Sequence, residues 1–202
     1  MNEEEAGRIV GLYRRHAAAW AAARGTEPGV EAGWLARFAA LLPPKGMVLD
    51  LGCGPGRPVA AHLASLGHAI TGVDSSPEMI AMAQAALPGH DWIVADMRGL
   101  ALGRRFDALL AWDSFFHLCH DDQRAMFRRF ADHAAPGAAL MFTSGPSHGI
   151  AMGRLGGEPL FHASLDAAEY RSLLAANRFA VQAHVANDPE CGGHTVWLAR
   201  RD

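Results

Sequence analysis

The chain has 202 residues, half of them hydrophobic and 19% charged, with a formal net charge of −3. That balance fits a single globular domain with a proper core and excludes a disordered chain. The slight acidity, with arginine pairs scattered over different elements, leaves no electrostatic footprint for nucleic acid.

Residues from about Glu4 to Arg24 have helical spacing, with Ile9, Tyr13, His16 and Trp20 recurring on one face. A second amphipathic helix carries Trp34, Leu35, Phe38, Leu41 and Leu42 and is stopped by Pro43-Pro44. From Met47 the pattern changes to alternating strands and helices. Strand-like runs are predicted at Met47 to Leu51, Ala69 to Val73, Asp91 to Ala95, Phe106 to Trp112 and Ala138 to Thr143. Between them, one helix starts at Pro77 with Ser76 as its cap, and another runs from near Asp121 to Pro136-Gly137. Such alternation implies a parallel sheet with helices on both faces. The stretch 144–165 interrupts the rhythm with many glycines and two prolines; it reads as a long binding loop, or else as a surface excursion or hairpin. A helix capped by Asp166 follows, with Glu169 completing a capping box, and two strands from Phe179 and Thr195 close the chain as an antiparallel edge pair. The whole reads as one domain, 1–202, made of a helical preface (1–44) and an α/β core (45–202) with the insertion at 144–165.

Cys53, Cys119 and Cys191 are odd in number and far apart, against a disulfide framework and in favour of a reducing compartment. The opening MNEEEAG has no signal-peptide pattern, and no apolar run is long enough to cross a bilayer. A cytoplasmic location with no membrane partner is therefore expected.

The most informative stretch is Val48 to Pro58, VLDLGCGPGRP, where a strand ends in Asp50 and three glycines at alternate positions turn the backbone toward a helix. Alone, this marks only a tight corner. Four successive strands, however, end in aspartate: Asp50, Asp74, Asp96 and Asp113. In a parallel sheet these stand along the carboxyl edge, where ligands of open α/β folds bind. A dinucleotide site uses G-x-G-x-x-G and offers a helix N-terminus to a pyrophosphate. Here the spacing is G-x-G-x-G with a carboxylate just before it, which repels a diphosphate and suits an ammonium or sulfonium. Asp74, 18 residues after Gly56, has the spacing of an acid on ribose hydroxyls. The profile is a ribose-bearing ligand with a positive end and no phosphate, which is that of S-adenosylmethionine.

With these residues in view, the chain resembles the class I S-adenosylmethionine-dependent methyltransferases. VLDLGCGPG is similar to that family's first motif, TGVDSSPEMI to its second-strand acidic motif, VADM to its adenine-side motif and FDALLAWDSFFHL to its fourth-strand motif. The resemblance covers Met47 to about Leu118 and implies a Rossmann-like, doubly wound seven-stranded sheet, ordered 3-2-1-4-5-7-6 with the last strand antiparallel. It also implies roles. Gly52, Cys53 and Gly54 pass along the methionine portion of the cofactor, with Asp50 near its amino group. Asp74, beside Ser75, takes the ribose hydroxyls. Asp96 and Met97 address adenine, Met79 packs on it, and the backbone around Trp112 meets the amino group. Tyr13 and Trp20 make the preface a helical lid over the cofactor, with plain packing as the alternative. Arg24 is left between a carboxylate-binding role and a solvent-facing helix end.

Methyl transfer is an in-line displacement at an activated carbon, so positioning carries much of the rate and a base is optional. His117 is the first candidate base, with Asp113 orienting the acceptor or only finishing the strand. His162 is the runner-up, and His148 and His194 follow. Trp112, Phe115 and Phe116 line an aromatic pocket or belong to the core. The sequence cluster His117, Cys119, His120, Asp121 and Asp122 and the pair Cys191 and His194 complete no four-ligand pattern, so no metal is predicted. With no basic groove and no amino-directed nucleic-acid motif, a small-molecule acceptor is expected, on a monomer or homodimer. The alternatives are transfer of another part of the cofactor, and a cofactor-binding partner subunit without turnover.

Overall fold

The computed structural model describes residues 2–202, so of the predicted preface 1–44 only Met1 lies outside the described residues. Helix α1 (Asn2–Arg24) has Glu3, Glu4 and Glu5 in its first turn and Arg24 in its last, a charge order that complements the helix dipole. Helix α2 (Ala32–Ala39) buries Trp34, Leu35 and Phe38 on one stripe.

The body alternates β1 (Met47–Leu51), α3 (Val59–Ser65), β2 (Ala69–Asp74), α4 (Pro77–Ala86), β3 (Asp91–Val94), β4 (Phe106–Ala111), α5 (His120–His133) and β5 (Ala134–Ser144). After a hairpin of β6 (Gly149–Leu155) and β7 (Glu158–Ser164) come α6 (Ala167–Ala176), β8 (Phe179–Asp188) and β9 (His194–Arg201). Seven strands form one sheet in the order β3-β2-β1-β4-β5-β9-β8. β1 to β5 pair in parallel, and β9 is antiparallel to both its neighbours. This is the predicted order, since β8 and β9 are the sixth and seventh strands of that sheet.

Period-two alternation sorts the strands' side chains onto two buried faces. Leu49, Leu51, Leu109, Leu140 and Phe142 face a core of Phe115, Phe127, Phe130, Tyr170 and Trp197 beneath α5 and α6. Val48, Leu110, Ala139 and Met141 face the other, with Trp34, Leu35, Phe38 and Leu63 from α2 and α3. The sheet is thus covered on both faces, and its carboxyl edge is left for the site.

Two expectations are corrected. The helix predicted to reach Pro136-Gly137 ends at His133, and Ala134 is already extended at φ −86°, ψ 132°. A residue before proline is pushed out of the helical region, so Ala135 cannot continue α5, and Pro136 and Gly137 fall within β5 at a register shift against β4. The first reading of the insertion 144–165, a long binding loop, gives way to its alternative, since β6 and β7 pair as a regular antiparallel hairpin. Its two-residue turn, Gly156-Gly157, has both φ angles positive (58° and 85°), the backbone that a tight hairpin requires.

Candidate functional site

A cleft of about 1100 Å³, open mouth included, lies over the carboxyl ends of β1, β2 and β4 with α1 as its roof. The glycine turn forms one wall. Gly52, Gly54 and Gly56 all have positive φ (75°, 53° and 71°). A Cβ on Gly52 would stand 2.2 Å from the Ser114 Cβ, and one on Gly56 3.0 Å from the Trp92 ring, whereas one on Gly54 would meet nothing within 4 Å. Two glycines therefore let the chain pack, and Gly54 leaves bare backbone beside open space.

Asp50 is buried at 3% exposure in this wall, opposite Gly72 of β2. Desolvation, with the neighbouring Asp74 adding to it, pushes its carboxyl up to about 7. No cation and no hydrogen-bond donor among the described residues contributes to holding it ionised. Asp74 is held differently. Its Oδ2 accepts from the Gly54 amide at 2.9 Å and its Oδ1 from the Ser76 amide at 2.8 Å, while burial still raises its pKa overall. Cys53, Ser75 and Met79 also line the cleft, and burial raises the Cys53 thiol well above its ordinary value, so it stays protonated.

Asp96, Met97 and Arg98 line the cleft after β3. Arg98 donates to both carboxylate oxygens of Asp96 and also pairs with Asp122 at 3.0 Å, which holds Asp96 below the usual carboxylate range. Beyond β4, Trp112 and Asp113 also border it. Asp113 adopts φ 49°, a left-handed backbone that Asp tolerates better than most residues. Its carboxylate is shared by Arg24 at 3.4 Å and His194 at 3.1 Å, and this contact raises the His194 pKa. Arg24 pairs in addition with buried Glu31 at 3.3 Å, so the C-terminal end of α1 is tied to the body and is not a solvent-facing end.

From the roof, Tyr13 and Trp20 line the cleft and meet edge to face, ring centres 5.5 Å apart. The Tyr13 hydroxyl lies 2.9 Å from His117 Nε2, and His117 Nδ1 lies 2.8 Å from the Phe161 carbonyl of β7. A carbonyl only accepts, so Nδ1 carries the hydrogen and Nε2 is the lone-pair nitrogen that takes the tyrosine proton. Desolvation lowers His117 to about 4, leaving it neutral across the physiological range. The other histidines stand elsewhere. His162 packs behind His117 with ring centres 4.9 Å apart and is not among the cleft's lining residues. His148 stacks on His120 at 4.5 Å, and His194 stacks on Trp112 at 5.6 Å. Phe115 is fully buried in the aromatic core, and Phe116 packs between His117 and His162.

The structure thus brings together Tyr13, Trp20, Asp50, Gly52, Cys53, Gly54, Asp74, Ser75, Met79, Asp96, Met97, Trp112, Asp113 and His117, and leaves His162 and His148 outside the cleft lining. Sequence reading missed Arg98, Glu31 and Thr143, whose hydroxyl oxygen accepts from the Asp113 amide at 2.9 Å. Arg98 had a signal, since a base two residues after a strand-end Asp is placed to cap and pair with it. Thr143 acts across 30 positions and gave none, and Glu31, seven residues from Arg24, lies in the irregular link between α1 and α2, where no periodic pattern marks a partner. The ligand atoms of His148, Asp166 and Glu169 lie within 4.8 Å of one another, but Asp166 caps α6 and Glu169 is engaged by Arg124.

Sheet order, glycine turn and carboxyl-edge cleft together define the class I methyltransferase fold. Residues 48–137 match the model of a methyltransferase domain family. A trans-aconitate 2-methyltransferase of Methylobacterium nodulans is 38% identical over 127 residues, covering 60% of this chain and 48% of the relative. The same enzyme from Azoarcus is 36% identical over 94 residues, 46% of this chain and 36% of the relative. The chain therefore spans about half the length of these curated relatives or less. Among solved structures, a magnesium protoporphyrin IX methyltransferase of Synechocystis with bound SAM superposes with a TM-score of 0.73 at 19% identity, covering 98% of this chain and 97% of that one. A Burkholderia thailandensis 1,6-didemethyltoxoflavin-N1-methyltransferase has a TM-score of 0.73 at 22% identity, covering 97% and 86%. No helix among the described residues is long and apolar enough to cross a membrane.

Proposed function

We propose that the protein is an S-adenosylmethionine-dependent methyltransferase acting on a small-molecule acceptor. The observation that carries this reading is Asp50, a buried carboxyl group in the cleft wall with no cation to complement it. An unpaired buried acid is costly, and a ligand bearing an ammonium or sulfonium beside the glycine turn would relieve that cost. The rest of the cleft fits the same molecule. Asp74 is oriented by two backbone amides to accept from a ribose, and the bare backbone at Gly54 gives close approach. Asp96 and Met97 stand where an adenine would be received.

When bound, S-adenosylmethionine supplies a methyl group already activated by its positive sulfur. The chain's task is then to hold, orient and dry the reactants. Tyr13 and Trp20 roof the cleft and exclude water. His117, its tautomer fixed by the Phe161 carbonyl, offers Nε2 to a hydroxyl or amine proton of the acceptor once Tyr13 withdraws. Asp113 is already engaged by Arg24 and His194, which suits a positioning role better than proton transfer. The test is calorimetric titration with S-adenosylhomocysteine, followed by incubation of S-adenosylmethionine with phenol, amine and carboxylic acid acceptors and mass spectrometry. Binding and a product heavier by one methylene support the reading. Absence of binding overturns it, and tight binding without product across the panel favours the cofactor-binding subunit.

A further inference from the structure

We propose that Glu158 is a positioning residue that sets an acceptor gate: it fastens α1 to the β6–β7 hairpin so that Tyr13 covers His117 Nε2, and the acceptor enters along the seam between these two elements. This rests on the methyl-transfer reading above.

Strand β7 acts on the Tyr13–His117 contact from both sides. Its Phe161 carbonyl accepts from His117 Nδ1 at 2.8 Å. Three residues earlier, the Glu158 carboxylate accepts from Arg15 Nη2 at 2.6 Å and Nε at 3.2 Å, and lies 2.8 Å from His16 Nε2. Arg15 and His16 lie two and three residues after Tyr13 on α1, so one strand fixes the imidazole and the helix turn that carries the tyrosine. These contacts keep the Glu158 carboxyl at about 2, ionised at any working pH.

Two further features belong to the same seam. The hairpin turn is shaped around α1, because a Cβ on Gly156 would stand 2.1 Å from the His16 ring. A second cleft follows the seam, lined by Gly7, Gly11, Leu12, Arg15, Glu158 and Pro159, and a Cβ on Gly7 would meet nothing within 4 Å. On the body side, α1 has separate tethers, Arg14 to Glu78 at 3.3 Å and Arg24 to Asp113 and Glu31. Release of Glu158 therefore loosens the hairpin side of the helix while the roof over the glycine turn keeps its own attachments.

The test needs no turnover. Carbethoxylation of His117, followed by mass spectrometry, and hydrogen exchange of the α1 peptide are compared in the wild type, Glu158→Gln, and the charge swap Glu158→Arg with Arg15→Glu. For a latch built from half-exposed ions, Glu158→Gln is expected to speed both by about three- to fivefold. High salt should do the same to the wild type and little to Glu158→Gln, and the swap should return both rates toward wild type. Gly156→Ala should speed them independently of salt. Unchanged His117 modification and α1 exchange in Glu158→Gln, or no recovery in the swap, overturns the gate. If the rates respond as stated but S-adenosylhomocysteine does not bind, the gate stands and the methyltransferase reading falls. With both intact, Glu158→Gln should change the acceptor KM more than kcat.

Discussion

The two walls of the cleft answer the same dry environment in opposite ways. On the glycine-turn side, burial raises Asp50 to about 7; on the roof side, burial lowers His117 to about 4. Desolvation disfavours whichever form is charged, so the acid holds its proton and the base refuses one. The difference lies in partners. His117 is fully satisfied by Tyr13 and Phe161, whereas Asp50 has no donor or cation among the described residues. One wall is complete without a ligand, and in the proposed reading the other receives one.

The largest expected effect is on the ligand wall. Asp74→Ala removes an acceptor held by two backbone amides and leaves the Gly54 amide unpaired. It should weaken S-adenosylhomocysteine binding by about a hundredfold or more, by calorimetry, since hydrogen bonds to a charged group are worth roughly 1.5–3 kcal/mol each. An unchanged dissociation constant would remove Asp74 from the site.

Next come the opposed pH slopes of the ligand-free protein. Asp50 contributes stability that is complete below its unfolded pKa of about 4 and is lost as pH rises through about 7. His117 contributes stability that is complete above about 6.5 and is lost as pH falls through about 4. In the wild type the two largely offset each other. Denaturant melts of Asp50→Asn should therefore show stability falling toward acid, and those of His117→Asn should show it falling toward neutral pH. The change across this window is at most about 4 kcal/mol, at 1.36 kcal/mol per pKa unit. Parallel slopes in the two variants would break the comparison.

The smallest effect belongs to Tyr13→Phe. It leaves His117 Nε2 without its donor, so stability should drop by about 1 kcal/mol in a urea melt. S-adenosylhomocysteine affinity should stay within about threefold, because the ring still roofs the cleft. A loss as large as that of Asp74→Ala would mean that the hydroxyl serves the ligand and not the imidazole.

The ligand wall was legible in the sequence because it is local. Strand ends, alternate glycines and the Gly56 to Asp74 spacing all sit within one strand–helix–strand unit; strand–helix alternation implied the parallel sheet, and the family resemblance implied its order. The roof was legible only in part. Tyr13 and His117 were both candidates, yet their contact spans 104 positions and depends on a carbonyl 44 residues further on. The hairpin carried a local signal in Gly156-Gly157 that the surrounding glycines and prolines obscured. The end of α5 was misplaced because Pro136 acts on the residue before it, not at its own position. Arg24 stayed undecided until Glu31 and Asp113 were seen to hold it.

The central claim is that Asp50 awaits the positive end of the ligand, and the pH dependence of binding tests it most directly. S-adenosylhomocysteine carries an ammonium that 5′-methylthioadenosine lacks. Between pH 5 and 8 the affinity of the wild type for S-adenosylhomocysteine should rise by up to about tenfold per unit and level off above about 7, because Asp50 releases its proton to solvent when the ammonium binds. Methylthioadenosine binding should show a much shallower slope, and Asp50→Asn should remove the steep one. Equal slopes for the two ligands, or a steep slope that survives in Asp50→Asn, would contradict the account.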